Sequence, residues 1–478
     1  MFRSKNIIFL ILIVALGAVI RFYKIGDLAI FLADQASDST AVLHILRGHP
    51  TLLGPISSVG GFYNGPIVFY LLLPFYWFFS ADPISGTVFQ TMLSLATIPL
   101  LYLLGKKLQN ATVGLIAAFL FAISPMMVDY SRAAFIPYPA VFFSTLILYL
   151  LLAVIDRFSW WKTALIGLFI GFILQMHYLT VSLLLMTFFY PLFIEKKLVR
   201  LSYYLWLIVG IIAGFSPFLL FEIRHQFLNL RLIIGYLTTS KGTVKSITNI
   251  FQVWPTVTAS LLTANNFWLG LISFFMTFLG AIVLTWKKSI KKQYAQVFFL
   301  LFGLTFLVGI LYGGKMQSHY VVVFHTTLIL LFSLVLCSFL KTNRMLIAAV
   351  CIFLMLMNSN KWNWQKTSHP VQDGLTIADF KKASAIIKND QHKRVYNVAM
   401  HAQGDNRAMP LRYALEVINE TPQPYTDYAS SDTLYFITRK NEPITEHKMW
   451  EFTSFGPSQV QTKWEINRQY FLYRLEKI

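Results

Sequence analysis

The sequence predicts a polytopic α-helical membrane protein with about 11 transmembrane helices, followed by a small α/β domain. Two observations lead to this fold class. Of the 478 residues, 56% are hydrophobic and only 13% are charged, whereas a soluble domain carries about 25% charged residues. Charge is also unevenly distributed, since residues 1–360 contain 24 Lys/Arg and 8 Asp/Glu while residues 361–478 contain 16 and 13. We therefore assign residues 1–360 to a membrane domain and residues 361–478 to a soluble domain.

Apolar runs of the length that spans a bilayer define the predicted crossings. They lie near residues 6–22, 85–105, 112–128, 136–155, 163–178, 179–194, 201–221, 267–286, 295–312, 319–340 and 344–358. A twelfth apolar segment, residues 65–80, is short and aromatic and contains Pro66 and Pro74. These features suit a helix that lies in the membrane interface as well as a crossing. The distribution of basic residues favours the interfacial helix, so we predict eleven crossings and an external juxtamembrane helix.

The distribution of basic residues predicts the orientation. If the N-terminus is cytoplasmic and residues 65–80 do not cross, the cytoplasmic loops hold 15 of the 24 basic residues and only two acids, as the positive-inside rule requires. We therefore predict a multi-pass protein of the plasma membrane with an extracytoplasmic C-terminal domain. The net charge of +19 is then mostly a consequence of topology, so the lipid bilayer is a predicted partner and nucleic acid is not.

Polar side chains cluster near the predicted outer ends of the helices. The first long external loop, residues 23–84, and the second, residues 222–266, supply or flank many of them. The set consists of Asp34, Asp38, Asp129, Arg132, His177, Glu222, Arg224, His225, Lys315 and His319. Carboxylates, cations and histidines at one depth predict a site at the outer membrane surface. A transporter more often places its ionisable residues near the bilayer midplane.

Several short motifs in this order carry a family resemblance. They are Asp34-Gln35, Arg47-Gly48-His49-Pro50, Gly61-Phe62-Tyr63-Asn64-Gly65-Pro66, the segment from Ser131 to Pro137, His177-Tyr178 and the segment from Pro217 to His225. Together they resemble bacterial C-type (GT-C) glycosyltransferases of family 39, a group similar to the dolichyl-phosphate-mannose-protein mannosyltransferases and to the enzymes that put aminoarabinose on lipid A. The resemblance covers roughly residues 1–340.

The resemblance implies a polyprenyl-phosphate-linked sugar as donor and an acidic residue of the first external loop as catalytic base, here Asp34. The family often has Asp-Glu at this point, and the chain has Asp34-Gln35, so a role that needs the second carboxylate stays open. It also implies an external juxtamembrane helix, in agreement with the charge argument. We expect an inverting hexosyl- or pentosyltransferase whose acceptor hydroxyl belongs to a protein, a lipid or a cell-wall glycan.

Transfer from a lipid phosphate requires a base for the acceptor proton and donors or cations for the leaving phosphate. Asp34 is the predicted base, and helix capping is the alternative. Arg132 is predicted to bind phosphate because its planar guanidinium matches phosphate oxygens, with anchoring of a helix end as the alternative. Lys315 and His319, which follow Gly313-Gly314, are predicted to bind the same group, with snorkelling of the lysine as the alternative.

Further residues are predicted to contact substrate. Glu222, Arg224 and His225 end the seventh crossing, and internal pairing of Glu222 with His225 is the alternative. His177 stands at the end of an apolar helix, where a structural role is equally open. Tyr63 completes the predicted set.

The need for a metal stays open at this stage. His177, Glu222, His225 and His319 offer ligand atoms, but no tight ligand spacing occurs in the sequence. A leaving monophosphate is stabilised by cationic side chains, so the argument requires no cofactor. The alternative functions are a polytopic transporter, a flippase for lipid-linked sugar, and an oligosaccharide ligase or polymerase.

The C-terminal domain reads as mixed α/β. Helical spacing covers residues 376–389 and 408–419, and strands are predicted at 395–400 and 433–438. Residues 460–466 and 470–475 are predicted to form a final hairpin. No catalytic constellation is evident in this domain, so we expect it to recognise the acceptor or to cover the site.

Overall fold

The fold was analysed in a computed structural model of the chain. The described residues are 2–57, 60–194, 201–239, 247–312, 316–340, 343–391, 394–442, 444 and 449–478. Helices α1–α17 make up the N-terminal part: α1 (Phe2–Phe22), α2 (Ile25–Leu28), α3 (Ala33–Leu46), α4 (Ile67–Phe78), α5 (Ile84–Leu108), α6 (Ala111–Ile123), α7 (Pro125–Ser131), α8 (Ala140–Asp156), α9 (Trp160–Met176), α10 (Val181–Ile194), α11 (Leu201–Arg224), α12 (Leu228–Thr239), α13 (Ile247–Leu262), α14 (Phe267–Trp286), α15 (Lys292–Tyr312), α16 (His325–Phe339) and α17 (Arg344–Ser359).

The predicted apolar runs all fall on helices. Within the described residues, six helices are long and apolar enough to cross a membrane: Lys5–Phe22, Ile84–Leu108, Leu201–Arg224, Phe267–Trp286, Lys292–Tyr312 and Ser318–Phe339. The bent pair α6–α7 would form a seventh span. Four further predicted crossings coincide with shorter apolar helices, Ala140–Asp156, Trp160–Met176, Tyr178–Pro191 and Arg344–Ser359. The multi-helix membrane architecture is therefore confirmed, although length alone identifies fewer spans than eleven.

The third predicted crossing is broken rather than straight. Helix α6 ends at Ile123, and α7 starts at Pro125 and runs at 62° to it. Ser124 lies between them with φ −63° and ψ 122°, the extended conformation that a following proline imposes. Proline at the first position of α7 needs no backbone donor, so the chain turns there, and Arg132, just after α7, is buried.

The two long segments predicted to be external contain helices of their own. Helix α4, at Ile67–Phe78, forms where the sequence predicted an external juxtamembrane helix, with Pro66 just before it and Pro74 inside it. The second long loop contributes α12 and α13. Tyr76 of α4 donates its hydroxyl proton to Ser39 Oγ of α3 across 2.6 Å, while Ser39 donates to the carbonyl of Gln35. This contact fixes α3 against α4.

Helices α9 and α11 are packed closely through small residues. Gly167 and Gly171 on α9 face Gly210 and Gly214 on α11, and a Cβ added at Gly210 would lie 2.0 Å from the Ala164 carbonyl oxygen. Two facing GxxxG patterns allow two helix backbones to approach each other within a membrane. The pair holds the ends of α9 and α11 in a fixed relation.

The C-terminal part is a four-stranded sheet with helices. Its elements are α18 (Ile377–Asp390), β1 (Tyr396–Met400), α19 (Met409–Val417), β2 (Thr433–Arg439), α20 (Trp450–Phe455), β3 (Ser458–Glu465) and β4 (Tyr470–Lys477). The strand order is β1-β2-β4-β3, with β1 and β2 parallel and β4 antiparallel to both neighbours. The predicted helices, strands and final hairpin of this region are confirmed.

The segment after α17 packs into the protein. Trp362 is only 4% exposed, and its indole N–H donates to the Ile123 carbonyl at 3.0 Å. Trp362 therefore lies in the interior, against the α6–α7 break. The neighbouring Trp364 stacks near Tyr23 with ring centroids 5.1 Å apart. The C-terminal part is therefore attached to the helical part by buried contacts.

Candidate active site

A cavity of about 1140 Å³ opens beside α3. Its walls come from α3, from the loop before α4, from the ends of α9 and α10, from α15 and from the segment before α16. One residue of the C-terminal part, Arg407, also lines it. Ligand pockets in proteins are commonly about 300–1,000 Å³, so this cavity can hold a drug-sized or larger ligand.

One face of α3 supplies the acidic side of the cavity. Asp34, Ser37, Asp38, Ala41 and His44 all line it, and their spacing of three or four residues places them on one helix face. The start of this helix is fixed because the backbone N–H of Leu32 donates to Gln35 Oε1 at 3.1 Å. Gln35, the residue at the position where the resembled family often has a glutamate, therefore caps α3.

The two carboxyl groups on this face differ in environment. Asp34 is exposed in the cavity, whereas Asp38 is only 4% exposed. Burial and the charge of nearby Asp34 raise the pKa of Asp38 well above its ordinary value. Neither carboxyl group has a hydrogen-bond or ion-pair partner among the described residues. The pair thus combines an accessible carboxyl group with a buried one that holds its proton more strongly than an ordinary aspartate.

Aromatic and histidine rings form another wall. His177 lies 5.6 Å from His319 and 4.8 Å from Tyr320, measured between ring centroids. Nδ1 of His177 accepts from the backbone N–H of Leu179 at 3.3 Å, so the proton of the neutral ring resides on Nε2. In its neutral form His177 therefore offers Nε2–H as a hydrogen-bond donor.

An apolar groove continues from this wall. Val181 and Leu185 of α10 and Val308 and Leu311 of α15 line the same cavity. Leu311 is 61% exposed, so the groove reaches the outer surface of the helical part. The cavity therefore joins carboxylates and ring donors to an apolar channel on the face of membrane-type helices.

Of the predicted site residues, Asp34, Asp38, His177 and His319 line this cavity. The structure does not bring Arg132 there. Its guanidinium is fully buried and donates to the carbonyls of Trp362 at 2.9 Å and Ile20 at 3.2 Å. The prediction that Arg132 binds the phosphate is therefore wrong. Its N–H groups instead connect the end of α7 with Ile20 of α1 and with Trp362 after α17.

Asp129 belongs to the same interior junction. Its Oδ1 lies 3.3 Å from Nε2 of His369, a residue of the C-terminal part, and 4.0 Å from Nη1 of Arg132. Asp129 thus links α7 to the chain that follows α17. The sequence placed it correctly near a helix end, but its partner lies 240 residues further along the chain.

Glu222 also has a structural environment. It accepts from the side-chain and backbone N–H groups of Asn229 at 2.9 and 3.2 Å and from the Leu230 N–H at 3.2 Å. These bonds cap the start of α12. Asn229 Oδ1 in turn accepts from the Tyr63 N–H at 2.8 Å. Glu222 therefore holds the loop of Tyr63 in place through Asn229. The prediction that Glu222 contacts the substrate directly is corrected accordingly.

The other predicted contacts fall outside the cavity wall. His225 stacks on Phe221 with centroids 4.0 Å apart and contacts its carbonyl at 2.9 Å, and Arg224 is exposed at the end of α11. Tyr63 itself does not line the cavity, but its carbonyl accepts from the Tyr178 hydroxyl, and its neighbours Phe62 and Asn64 do line it. Lys315, with Gly313-Gly314, lies outside the described residues.

The four residues considered as metal ligands separate into two places. His177 and His319 face the cavity, whereas Glu222 caps α12 and His225 stacks on Phe221. Among the described residues, no group of three or more His, Cys, Asp or Glu side chains is arranged to hold a metal ion.

Sequence reasoning missed several residues of the wall. His44, His49, Tyr312, Tyr320 and Arg407 all line the cavity. His44 carried a usable signal, because it follows Asp34 and Asp38 on the same face of a predicted helix. Arg407 carried none, since it lies in a different part of the chain.

Comparison with known proteins places this architecture. Residues 63–221, about a third of the chain, match the family described as dolichyl-phosphate-mannose-protein mannosyltransferase. No curated protein matches the chain. The crystal structure of ArnT from Cupriavidus metallidurans bound to undecaprenyl phosphate superposes with a TM-score of 0.62 at 10% identity, covering 97% of each chain. The chain has the GT-C fold.

A second GT-C structure agrees with this assignment. The archaeal oligosaccharyltransferase AglB from Archaeoglobus fulgidus, in complex with an inhibitory peptide and a dolichol-phosphate, superposes with a TM-score of 0.55 at 11% identity. The match covers 91% of this chain and 69% of AglB. The predicted resemblance to mannosyltransferase-like GT-C proteins is confirmed, and the GT-C fold extends over the C-terminal sheet as well as the helices.

Proposed function

We propose that this GT-C protein is a membrane glycosyltransferase that moves a sugar from a polyprenyl-phosphate donor to an extracytoplasmic acceptor hydroxyl. The observation that carries the proposal is the form of the cavity. Its carboxylates stand on α3, its ring donors at the end of α9, and its apolar groove between α10 and α15. A lipid phosphate sugar has the same succession of an apolar chain, an anionic group and a polar sugar.

The comparisons support the donor class. The ArnT structure contains undecaprenyl phosphate and the AglB structure contains a dolichol-phosphate, and both are lipid phosphates. The GT-C fold also favours a transferase over the alternative of a transporter or a flippase. The identity of the sugar, hexose or pentose, and of the acceptor stays open in this proposal.

In the proposed reaction, Asp34 is the base. Its exposed carboxylate takes the proton of the acceptor hydroxyl, whose oxygen forms a bond to the anomeric carbon. The bond between that carbon and the phosphate oxygen breaks, and the lipid phosphate leaves with the electron pair, so the anomeric configuration is inverted. Nε2–H of His177, a neutral donor, is placed to hydrogen-bond the phosphate as its charge develops.

The proposal includes the orientation predicted from charge. The N-terminus is cytoplasmic, the cavity opens on the outer face of the plasma membrane, and the C-terminal part is extracytoplasmic. This places Asp34 where lipid-linked sugars are presented after translocation. The support is the excess of basic residues in the predicted cytoplasmic loops.

Substitution of Asp34 tests the proposed base. Asp34→Asn keeps the shape of the side chain and removes its basicity, so we expect turnover of undecaprenyl-phosphate-linked sugars to fall by about 10²–10⁴-fold. The measurement is release of undecaprenyl phosphate from a panel of such donors by full-length protein in nanodiscs, with a membrane extract as the acceptor source. Ser37→Ala, on the same face of α3, is the matched control and is expected to retain activity. Wild-type turnover by Asp34→Asn would remove Asp34 as the base.

A further inference from the structure

Arg407 lines the cavity and has no role in the transfer step proposed above. It is the one permanent positive charge among the described residues that line the cavity, and it comes from the C-terminal part. Two carboxyl groups, those of Asp34 and Asp38, line the same space. An exposed arginine in a cavity wall is suited to bind an anionic group through its planar set of donors.

The loop that carries Arg407 is held rigidly. Asp405 is buried, and its two oxygens accept from the N–H groups of Arg407 at 3.2 Å and Met409 at 2.7 Å. The Arg407 carbonyl accepts from Nε of Arg412 at 2.7 Å. Ala408 follows with a positive φ of 56°. The backbone of Arg407 is therefore fixed on both sides, which lowers the entropic cost of ligand binding.

The guanidinium retains free capacity. Half of the Arg407 side chain is exposed, and its nearest acidic partner is Oδ1 of Asp405 at 3.6 Å. This distance is longer than a hydrogen bond, so Asp405 leaves the guanidinium donors available to a ligand. The ring of Tyr425 lies 5.4 Å from the guanidinium carbon and supports it from one side.

Contacts place this loop on the α3 side of the cavity. Gln403 donates to the Gln372 carbonyl at 2.9 Å, and Gln372 donates to the carbonyl of Ala29, shortly before α3 begins, at 3.1 Å. Farther along α19, Glu416 pairs with Arg47 just after α3 at 2.9 Å. The C-terminal part thus contacts the chain just before α3, through Gln372, and just after α3, through Glu416 of α19.

The apolar groove lies on different elements, α10 and α15. A lipid donor seated there presents its phosphate to the ring wall of His177, His319 and Tyr320. Arg407 reaches the same cavity from the C-terminal part. Two anion-binding places on separate walls match a reaction with two substrates.

Resting on the proposed function, we propose that Arg407 is a specificity residue for the acceptor and binds a phosphate or carboxylate group that the acceptor carries. The C-terminal part then completes the acceptor side of the site in addition to covering it. The acceptor class is accordingly an anionic glycan or glycolipid, positioned by Arg407 with its hydroxyl toward Asp34.

Binding measurements with defined probes test this assignment. Full-length protein in nanodiscs is first saturated with undecaprenyl phosphate and then titrated with glucose 6-phosphate, as the anionic probe, or with glucose, as its neutral counterpart. We expect the wild type to bind glucose 6-phosphate at least about tenfold more tightly than glucose, and Arg407→Gln to lose that preference. Arg407→Lys, which keeps the charge without the planar fork, is expected to retain part of it.

Controls separate the possible outcomes. Arg468→Gln removes an exposed arginine that does not line the cavity and is expected to leave all affinities unchanged. Undecaprenyl phosphate affinity is expected to be the same in the wild type and Arg407→Gln. A loss of that affinity in Arg407→Gln would move Arg407 to the donor side and overturn the inference. Equal wild-type affinity for both sugars would overturn it as well, whereas failure of undecaprenyl phosphate to bind the wild type would contradict the proposed function itself.

Discussion

At the scale of single residues, two aspartates one helical turn apart line the proposed site in different environments. Asp34 is exposed to the cavity and Asp38 is buried behind it, without partners among the described residues. The same helix thus holds one carboxyl group in contact with solvent and another in a poorly solvated environment. The buried group lowers stability at neutral pH, since its ionisation is suppressed in the fold and free in the unfolded chain.

Substitution of Asp38 tests this cost. Because the pKa of Asp38 is raised in the fold, its contribution to stability is fully present below the unfolded pKa of about 3.9 and is lost as the pH rises. We expect Asp38→Asn to raise the thermal midpoint at pH 7 and to have little effect near pH 3.5. Thermal unfolding of the protein in nanodiscs at both pH values is the measurement. A midpoint lowered at pH 7 would show that the ionised carboxylate stabilises the fold.

Individual residues also show where sequence reasoning succeeds and fails. Asp34, singled out by the family resemblance, and His177, at a helix end, were both predicted to belong to one site, and both line the cavity. Arg132 has the same kind of position, yet its donors are used by Ile20 and Trp362. Contacts between residues as distant as Arg132 and Trp362 leave no local signal, so a charge at a helix end does not reveal which partner it meets.

Close helix packing organises the site at the scale of elements. Helix α9 ends at Met176, directly before His177. Helix α11 ends at Arg224, and its Glu222 supports the Tyr63 loop through Asn229. Gln175 connects the two helices, because its side-chain N–H group donates to the Gly214 carbonyl at 2.7 Å. The backbone carbonyl of Gln175 accepts from the Gly65 N–H at 3.1 Å. The spacing of α9 and α11 therefore sets the position of the cavity wall.

A pair of glycine substitutions tests this role. A Cβ at Gly210 would lie 2.0 Å from a backbone oxygen, whereas a Cβ at Gly303 of α15 would meet no atom within 4 Å. We expect Gly210→Ala to destabilise the protein by roughly 1–3 kcal/mol and Gly303→Ala to be neutral or slightly stabilising. The thermal midpoints of both variants in nanodiscs provide the comparison. Equal effects of the two substitutions would show that α9 and α11 are not held by close backbone contact.

Element boundaries were predictable where a local rule governs them. Apolar runs located the membrane helices, and alternation located the strands of the C-terminal sheet. The break at Ser124–Pro125 was missed because its apolar sequence continues through the proline. The facing glycines at 167, 171, 210 and 214 are visible as two GxxxG patterns, but only the structure shows that they meet each other.

At the scale of the whole molecule, the C-terminal part contacts the helical part at both ends of α3, at the turn between α4 and α5, and at the α6–α7 break. Tyr413 donates its hydroxyl proton to the Ala81 carbonyl at 2.7 Å, and Lys381 pairs with Asp82 at 2.5 Å. Arg407 then lines the cavity itself. We had expected this part to recognise the acceptor or to cover the site, and its contacts show that it lies beside the candidate active site.

Reporter fusions test the proposed orientation. Alkaline phosphatase folds into its active form outside the cytoplasm, so a fusion after Ile478 is expected to be active in a bacterial host. A fusion after Lys288, in the predicted cytoplasmic loop between α14 and α15, is expected to be inactive. The reverse pattern would invert the topology and place Asp34 on the cytoplasmic face.

We propose that the cavity beside α3 holds a polyprenyl phosphate. A cryo-electron microscopy structure of the full-length protein in nanodiscs with undecaprenyl phosphate tests it most directly. We expect the lipid chain in the groove between α10 and α15, with its phosphate near His177 and Tyr320 and facing Asp34. Lipid phosphate density at another place, with the cavity beside Asp34 empty, would contradict the account.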